Sequence, residues 1–179
     1  MIYIQLEKLE KEVRELRKKV VEPFEQIIKE FTNLFYETLK QVKFPKLDKD
    51  VKIDNDLTPY VRDTNYKTQG SLGATVLITQ AWYISFFRLN SLFNSNHPKF
   101  FLVDSPQKNI GLNTTEEEYK DEEIVKNLYI EYKKLIDENF LDQLIIVDNA
   151  PPEGYDEYFC IKFTRDPEIP PYGLIDDEI

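Results

Sequence analysis

The segment FFLVDSPQKNIG, residues 100–111, combines a buried-strand pattern with a carboxylate at its end. Four consecutive apolar residues run directly into Asp104, and Ser105 and a proline follow. A short, wholly apolar run of this kind is typical of a strand that is buried on both faces of a parallel sheet. Because α/β proteins bind their ligands at the carboxyl ends of such strands, we predict that Asp104 lies at a ligand-binding edge.

The flanking segments extend the same pattern. Residues 74–93 are apolar on most sides, which predicts a buried helix, and glycines and a serine stand just before them. The other predicted elements are a possible short strand at 51–53, an amphipathic helix at 116–139, a second buried strand at 144–147 and a third strand at 157–163. Strands that alternate with helices favour an α/β fold with a largely parallel sheet flanked by helices.

A heptad pattern fills the N-terminal segment. Apolar residues alternate at spacings of four and three: Ile2, Leu6, Leu9, Val13, Leu16 and Val20. This spacing predicts a long coiled-coil helix, and a surface helix of a bundle is the alternative. Pro23 can kink a continuous helix or begin a second one, which would extend to about residue 42. No other stretch has matching heptads, so the partner helix is expected from outside this sequence.

Composition limits the functional classes. The 179 residues carry a net charge of -10, which disfavours nucleic-acid binding by the whole surface. The single cysteine, Cys160, allows no internal disulfide and no zinc cluster, and we expect it to be buried. Charges recur from Glu7 onward, which argues against a signal peptide, and no window reaches the roughly 18 apolar residues of a membrane span. We expect a soluble, cytoplasmic protein with no membrane partner.

Three motifs in a fixed order carry a family resemblance. FLVDSPQKNIG resembles the Walker B and D-loop segment of ABC-type ATPases, commonly LDEPTxxLD. TQGSLG, residues 68–73, stands where that family has its LSGGE or LSGGQ signature loop, and LIIVDNAPP, residues 144–152, stands where it has a strand followed by the switch histidine. Preceded by a coiled coil, this order resembles the C-terminal half of the head of an SMC-like ABC ATPase, the class of chromosome-maintenance and DNA-repair proteins.

The resemblance implies a domain plan and a set of site residues. The plan is a coiled-coil segment at 1–43, an ATPase lobe at 44–165 and an acidic, proline-rich tail at 166–179. Asp104 would bind Mg²⁺, and the nucleotide would be contacted by Gln69, Gly70, Ser71, Gly73, Asn109 and Asn149. The implied catalytic positions are Ser105, where the family has an acid, Gln107 as a water-orienting substitute, and Asp148 at the switch position.

The resemblance also implies partners. The sequence contains no GxxxxGK[ST] loop, so the Walker A lobe and its complementary coiled-coil helix would come from elsewhere. A second head, as in a homodimer, would sandwich ATP and Mg²⁺, and the assembly would act on DNA in repair, chromosome maintenance or phage defence. A serine hydroxyl is a poor base. The alternatives are therefore slow ATP hydrolysis, hydrolysis that uses another acid, and loss of hydrolysis. The alternative function is a non-enzymatic coiled-coil assembly module with a degenerate nucleotide-binding head.

Overall fold

The computed structural model describes residues 2–47, 50–93, 96–110, 118–164, 166 and 168–171, without the side chains of 2–4, 20–22 and 118–121. It divides into two compact units, Met1–Asn149 and Ala150–Ile179. In the described part of the first unit the elements are α1 (Ile2–Gln41), β1 (Val51–Ile53), β2 (Pro59–Val61), β3 (Thr64–Asn65), a 3₁₀ turn (Tyr66–Thr68), α2 (Leu72–Leu92), β4 (Phe100–Asp104), α3 (Glu118–Asp137) and β5 (Gln143–Val147).

Helix α1 is a single helix of 40 residues that continues through Pro23. Its C-terminal half contributes Phe31, Phe35 and Leu39 to the core, and all three are fully buried. In its N-terminal half the heptad residues Leu6, Leu9, Val13 and Leu16 are exposed, at 53%, 58%, 49% and 61%. The predicted helix is therefore observed, whereas a coiled coil is not seen among the described residues.

Helix α2 confirms the predicted buried helix, with bounds shifted by two residues or fewer. The residues that it buries are Leu77, Ile78, Ala81, Ile84, Ser85, Phe87 and Leu89. On its other side Trp82 stacks on Phe86 with the ring centroids 5.5 Å apart, and the Trp82 Nε1–H donates to the Leu57 carbonyl at 2.9 Å. Apolar contact on several sides is what made this segment recognisable as a buried helix.

The strands form two small sheets. Strands β1, β2 and β3 make an antiparallel sheet, which confirms the short strand at 51–53. Strands β4 and β5 make a two-stranded parallel sheet, in register from the pair Phe100–Gln143 to the pair Asp104–Val147. The fold is thus mixed helix and sheet, and the prediction of a largely parallel sheet was wrong in extent. Within the described residues the parallel pairing is limited to these two strands.

The parallel sheet has one covered and one uncovered face. Phe101 of β4 lies 4.8 Å from Phe87 of α2 and 6.3 Å from Tyr132 of α3, measured between ring centroids. The alternate side chains are exposed: Phe100 at 41%, Leu102 at 53%, Ile145 at 38% and Val147 at 45%. The prediction of strands buried on both faces was therefore wrong, because helices of the described chain cover only one side.

The second unit corrects two expectations. The predicted strand at 157–163 is wrong: a short 3₁₀ turn, Asp156–Tyr158, is followed by residues without regular structure. Cys160 is exposed rather than buried. The segment is apolar enough for a strand, but a strand also needs a neighbouring strand to accept and donate its backbone hydrogen bonds.

A buried polar cluster joins the three helices. The Arg88 guanidinium of α2 donates to Glu131 of α3 at 2.6 Å and to the Thr38 hydroxyl of α1 at 3.1 Å. Lys134 also donates to Glu131, at 2.7 Å. The Glu131 side chain is 2% exposed and that of Arg88 is 11% exposed, so each charge depends on the other for compensation.

Removing one member of this cluster should destabilise the fold. We expect Glu131→Ala to lower the free energy of unfolding by about 3 kcal/mol, because it leaves Arg88 buried without its partner. Replacing both, as in Arg88→Met with Glu131→Leu, should recover most of that loss. Urea unfolding measures both effects.

The matched control is Asp137→Ala, which breaks the exposed Lys133–Asp137 pair of 2.7 Å on the same helix. It should cost about 0.5 kcal/mol or less. If Glu131→Ala is as mild as this control, the cluster does not stabilise the helix junction.

Candidate functional site

The candidate site lies at the carboxyl edge of β4 and β5. Asp104 ends β4 opposite Val147, and the Ser105 N–H donates to the Val147 carbonyl at 2.7 Å, so pairing extends one residue past the strand. The Asp104 side chain is exposed, and its Oδ1 accepts a hydrogen bond from the Ser105 hydroxyl at 2.8 Å. Two residues predicted for the site are therefore in direct contact.

A tight turn follows Asp104. Ser105 has a φ of +52° and Asn109 a φ of +66°, a left-handed conformation that costs a non-glycine residue of order 1 kcal/mol or more. Hydrogen bonds from the Lys108 N–H to Ser105 and from the Ile110 N–H to Gln107, both 3.0 Å, close the turn. The Asp-Ser-Pro sequence favours this turn. It turns the chain back, so that Gln107 lies near the end of β5.

Gln107 and Asp148 meet at this edge. The Gln107 Nε2 donates to Asp148 Oδ2 at 2.9 Å, and the Tyr129 hydroxyl donates to the same oxygen at 2.5 Å. The Asn149 N–H donates to Asp148 Oδ1 at 2.7 Å. Both oxygens of the Asp148 carboxylate thus accept hydrogen bonds, so this side chain anchors the Gln107 amide at the end of β5.

Strand alternation separates the two carboxylates. Asp104 extends from the uncovered face with Phe100 and Leu102, whereas Asp148 contacts Tyr129 of α3 on the helix-covered side. The neighbouring Tyr132 hydroxyl donates to Gln80 of α2 at 2.5 Å. Burial, with the nearby Tyr129 and Asp148, raises the pKa of Tyr132 well above its usual value. Asp148 is therefore half-buried against α3, whereas Asp104 is exposed.

The start of α2 approaches the same turn. Ser71 is the N-cap of α2, and its hydroxyl accepts from the Ala74 N–H at 3.5 Å. A Cβ atom on Gly73 would lie 2.5 Å from the Asn109 carbonyl oxygen, so the two backbones touch. A Cβ atom on Gly70 would meet no heavy atom within 4 Å. Gly73 and Asn109, both predicted for the nucleotide, are therefore adjacent.

Gln69 is engaged elsewhere. Its Nε2 donates to the carbonyls of Val61 and Thr64 at 3.0 and 3.1 Å, and its Oε1 accepts from Arg62 at 3.3 Å. These bonds fasten the segment before α2 to the β2–β3 hairpin. In this conformation Gln69 has a structural role. The Asn149 side chain is exposed, and Gly111 of the expected D-loop lies outside the described residues.

The donor set at Asp104 suits a nucleotide-bound Mg²⁺. No group of three or more histidine, cysteine, aspartate or glutamate side chains that could hold a metal occurs within the described residues. Mg²⁺ is normally bound by one or two carboxylates together with substrate phosphates and waters, so a single exposed carboxylate beside a hydroxyl fits this ion. The same arrangement does not fit zinc, which takes three or four protein ligands.

Tyr129 was missed by sequence reasoning. On α3 it belongs to the buried face with Ile124, Leu128, Tyr132 and Leu135, so its spacing indicates only a core residue. The signal that marks it is chemical: two of the residues on this core face are tyrosines, and a buried hydroxyl requires a hydrogen-bond partner.

No protein-family model matches this sequence, and no curated protein matches it. In the described residues no helix combines the length and apolar character needed to cross a membrane. The interpretation of the site therefore depends on motif order and on the geometry of the carboxyl edge.

The Gly73–Asn109 contact gives a direct test of the geometry. Gly73→Ala should lower the free energy of unfolding by about 1–3 kcal/mol, because the new methyl group overlaps a backbone carbonyl oxygen that cannot rotate away. Gly70→Ala is the matched control and should stay within about 1 kcal/mol of the wild type. Thermal unfolding of the two variants checks this, and equal stabilities would show that the two backbones do not touch.

Proposed function

We propose that this chain is the C-terminal lobe of an SMC-like ABC ATPase head, which forms an ATP–Mg²⁺ site with a lobe that carries the Walker A loop. The observation that carries the proposal is the parallel pairing of β4 with β5. It brings Asp104 and the Gln107–Asp148 pair to one sheet edge, beside the N-terminus of α2. Paired strand ends beside a helix N-terminus are a common arrangement for binding phosphates.

The uncovered sheet face supports the need for a second lobe. Four large apolar side chains, Phe100, Leu102, Ile145 and Val147, are exposed on the side from which Asp104 extends. Contiguous apolar surface of this kind marks an interaction site. A Walker A lobe on this face would bury the patch and bring its phosphate-binding loop beside Asp104.

Under this proposal each residue at the edge has a definite task. Asp104 holds the Mg²⁺, which when bound neutralises charge on the phosphates. Gln107 orients the attacking water through its amide. The water oxygen bonds to the γ-phosphorus as the bond to the β–γ bridging oxygen breaks, and ADP leaves with that electron pair. Since an amide cannot take up the water proton, the proton passes to a phosphate oxygen.

The proposal extends to the assembly. Two heads would sandwich ATP, with the Gly70–Gly73 region of one head against the nucleotide of the other. Helix α1 packs on α2 through its C-terminal half, so a shift of α2 would move the helix that carries the exposed heptad seam. We propose a cytoplasmic assembly of this kind that acts on DNA in repair, chromosome maintenance or phage defence.

A second candidate is a non-enzymatic assembly module that uses the exposed heptad seam of α1. The specific observation in its favour is Gln69, whose amide is bonded to the β2–β3 hairpin rather than directed to solvent. This candidate predicts binding through α1 with no ATP turnover, so measured hydrolysis decides between the two functions.

The Asp104 role is testable in the chain together with the segment or subunit that supplies the Walker A loop. Wild type should bind a fluorescent ATP analogue at least about tenfold more tightly with Mg²⁺ than without it, and Asp104→Asn should lose that difference. The control Asp142→Asn, at the opposite end of the sheet, should behave as wild type. An undiminished Mg²⁺ dependence in Asp104→Asn would rule out the metal role.

Ser105 stands where the resembled family has an acidic residue that acts as general base. If this replacement limits the rate of ATP hydrolysis, an acid at position 105 should raise the rate. Ser105→Glu should then raise kcat about a hundredfold, within the range of general base catalysis. Ser105→Gln has the same shape without the base and should leave kcat near the wild-type value. Steady-state phosphate release measures both, and a folded Ser105→Glu protein with unchanged kcat would remove Ser105 from the mechanism.

A further inference from the structure

We infer that Tyr129 is a positioning residue for hydrolysis, which fixes the Gln107 amide at the sheet edge by holding the Asp148 carboxylate that Gln107 binds. The inference rests on the proposed function and adds to it a residue on α3 and a role for Asp148. Its basis is a continuous set of hydrogen bonds that runs from the buried face of α3 to the turn after β4.

The bonds converge on one oxygen. Asp148 Oδ2 accepts from the Tyr129 hydroxyl at 2.5 Å and from the Gln107 Nε2 at 2.9 Å. Asp148 Oδ1 accepts from the Asn149 N–H at 2.7 Å, which fixes the rotation of the carboxylate. Because both oxygens of the Asp148 carboxylate are held by hydrogen bonds, the Gln107 amide that donates to it is held in one orientation.

Tyr129 is itself held firmly. It is 3% exposed, and its ring lies 6.0 Å from that of Tyr132 at an interplanar angle of 76°. The phenol therefore reaches Asp148 from a rigid, packed helix, which is the kind of support that a precisely oriented catalytic group needs.

The consequence for chemistry is orientation. A water-orienting amide contributes only while it is held in one position, and a misplacement of about 1 Å can cost on the order of a hundredfold in rate. Gln107 is on a turn with two left-handed residues, at Ser105 and Asn109, so its backbone alone is a strained support. Its hydrogen bond to Asp148 links this turn to the end of β5 and to α3.

The test uses Tyr129→Phe in the chain together with its Walker A partner. Removing only the hydroxyl should lower kcat about tenfold to a hundredfold, while the dissociation constant for ATP–Mg²⁺ stays within about twofold. The matched control is Tyr132→Phe, which removes a buried hydroxyl three residues away that donates to Gln80 instead. It should leave kcat near the wild-type value even if it lowers the melting temperature.

A double-mutant cycle tests the route through Gln107. Gln107→Ala should lower kcat by itself, and adding Tyr129→Phe should lower it little further, because the hydroxyl acts through that amide. Additive effects of the two substitutions, or an unchanged kcat in Tyr129→Phe, would overturn the inference.

A measurement on the chain without nucleotide separates this inference from the proposed function. In ¹⁵N spectra the Gln107 side-chain amide, assigned by its loss in Gln107→Ala, should exchange with solvent slowly in wild type and faster in Tyr129→Phe. Equal exchange rates overturn the inference. A wild-type assembly that binds no ATP–Mg²⁺ overturns the proposed function and the inference together, whereas binding and turnover with unchanged kcat in Tyr129→Phe overturn only the inference.

Discussion

The parallel pairing of β4 with β5 sets the positions of α3 and of the candidate site. Two parallel strands need a crossover connection, and α3 lies between them in the chain, so it packs on the sheet beside α2. Parallel pairing also brings the carboxyl ends of both strands to one edge of the sheet. Asp104 is the last residue of β4 and Asp148 directly follows β5, so both lie at this edge. The alternation of side chains then gives them different surroundings: Asp104 on the open side and Asp148 against a buried tyrosine. One register thus determines both the location of the candidate site and its division into an exposed part at Asp104 and a half-buried part at Asp148.

On the helix-covered side of the sheet, side chains are packed and charges are paired. Its aromatic rings pack edge to face, and its charges at Arg88 and Glu131 compensate each other. The buried Arg88–Glu131 pair links α2 to α3, and Arg88 also donates to Thr38 of α1, so these contacts form only when the three helices meet. The uncovered face differs, because its large apolar side chains are exposed. Its apolar residues occupy the positions that a second layer of helices covers in a conventional α/β protein.

Sequence reasoning succeeded where one local pattern determines the outcome. The four-three spacing of apolar residues predicted α1, the apolar character of residues 74–93 on most sides predicted α2, and the apolar runs ending in aspartate predicted β4, β5 and the shared edge. It failed where the outcome depends on a distant neighbour. Residues 157–163 have strand composition but pair with no strand in the described part of the chain, and the exposure of Phe100 and Leu102 depends on which elements pack on their face of the sheet. The Tyr129–Asp148 bond joins two elements whose contact follows only from the fold. The TQGSLG motif predicts Gln69 as a nucleotide contact, whereas its amide donates to two carbonyls of the β2–β3 hairpin.

The unequal halves of α1 have a mechanical consequence. Side chains of α1 begin to be covered near residue 27, so roughly 25 residues lie beyond the anchored part and form an arm of about 37 Å at 1.5 Å per residue. A tilt of about 10° at the anchor would displace the far end by about 6 Å, which exceeds one helical turn. Helix α1 is continuous through Pro23, so the anchored part and the arm belong to one helix.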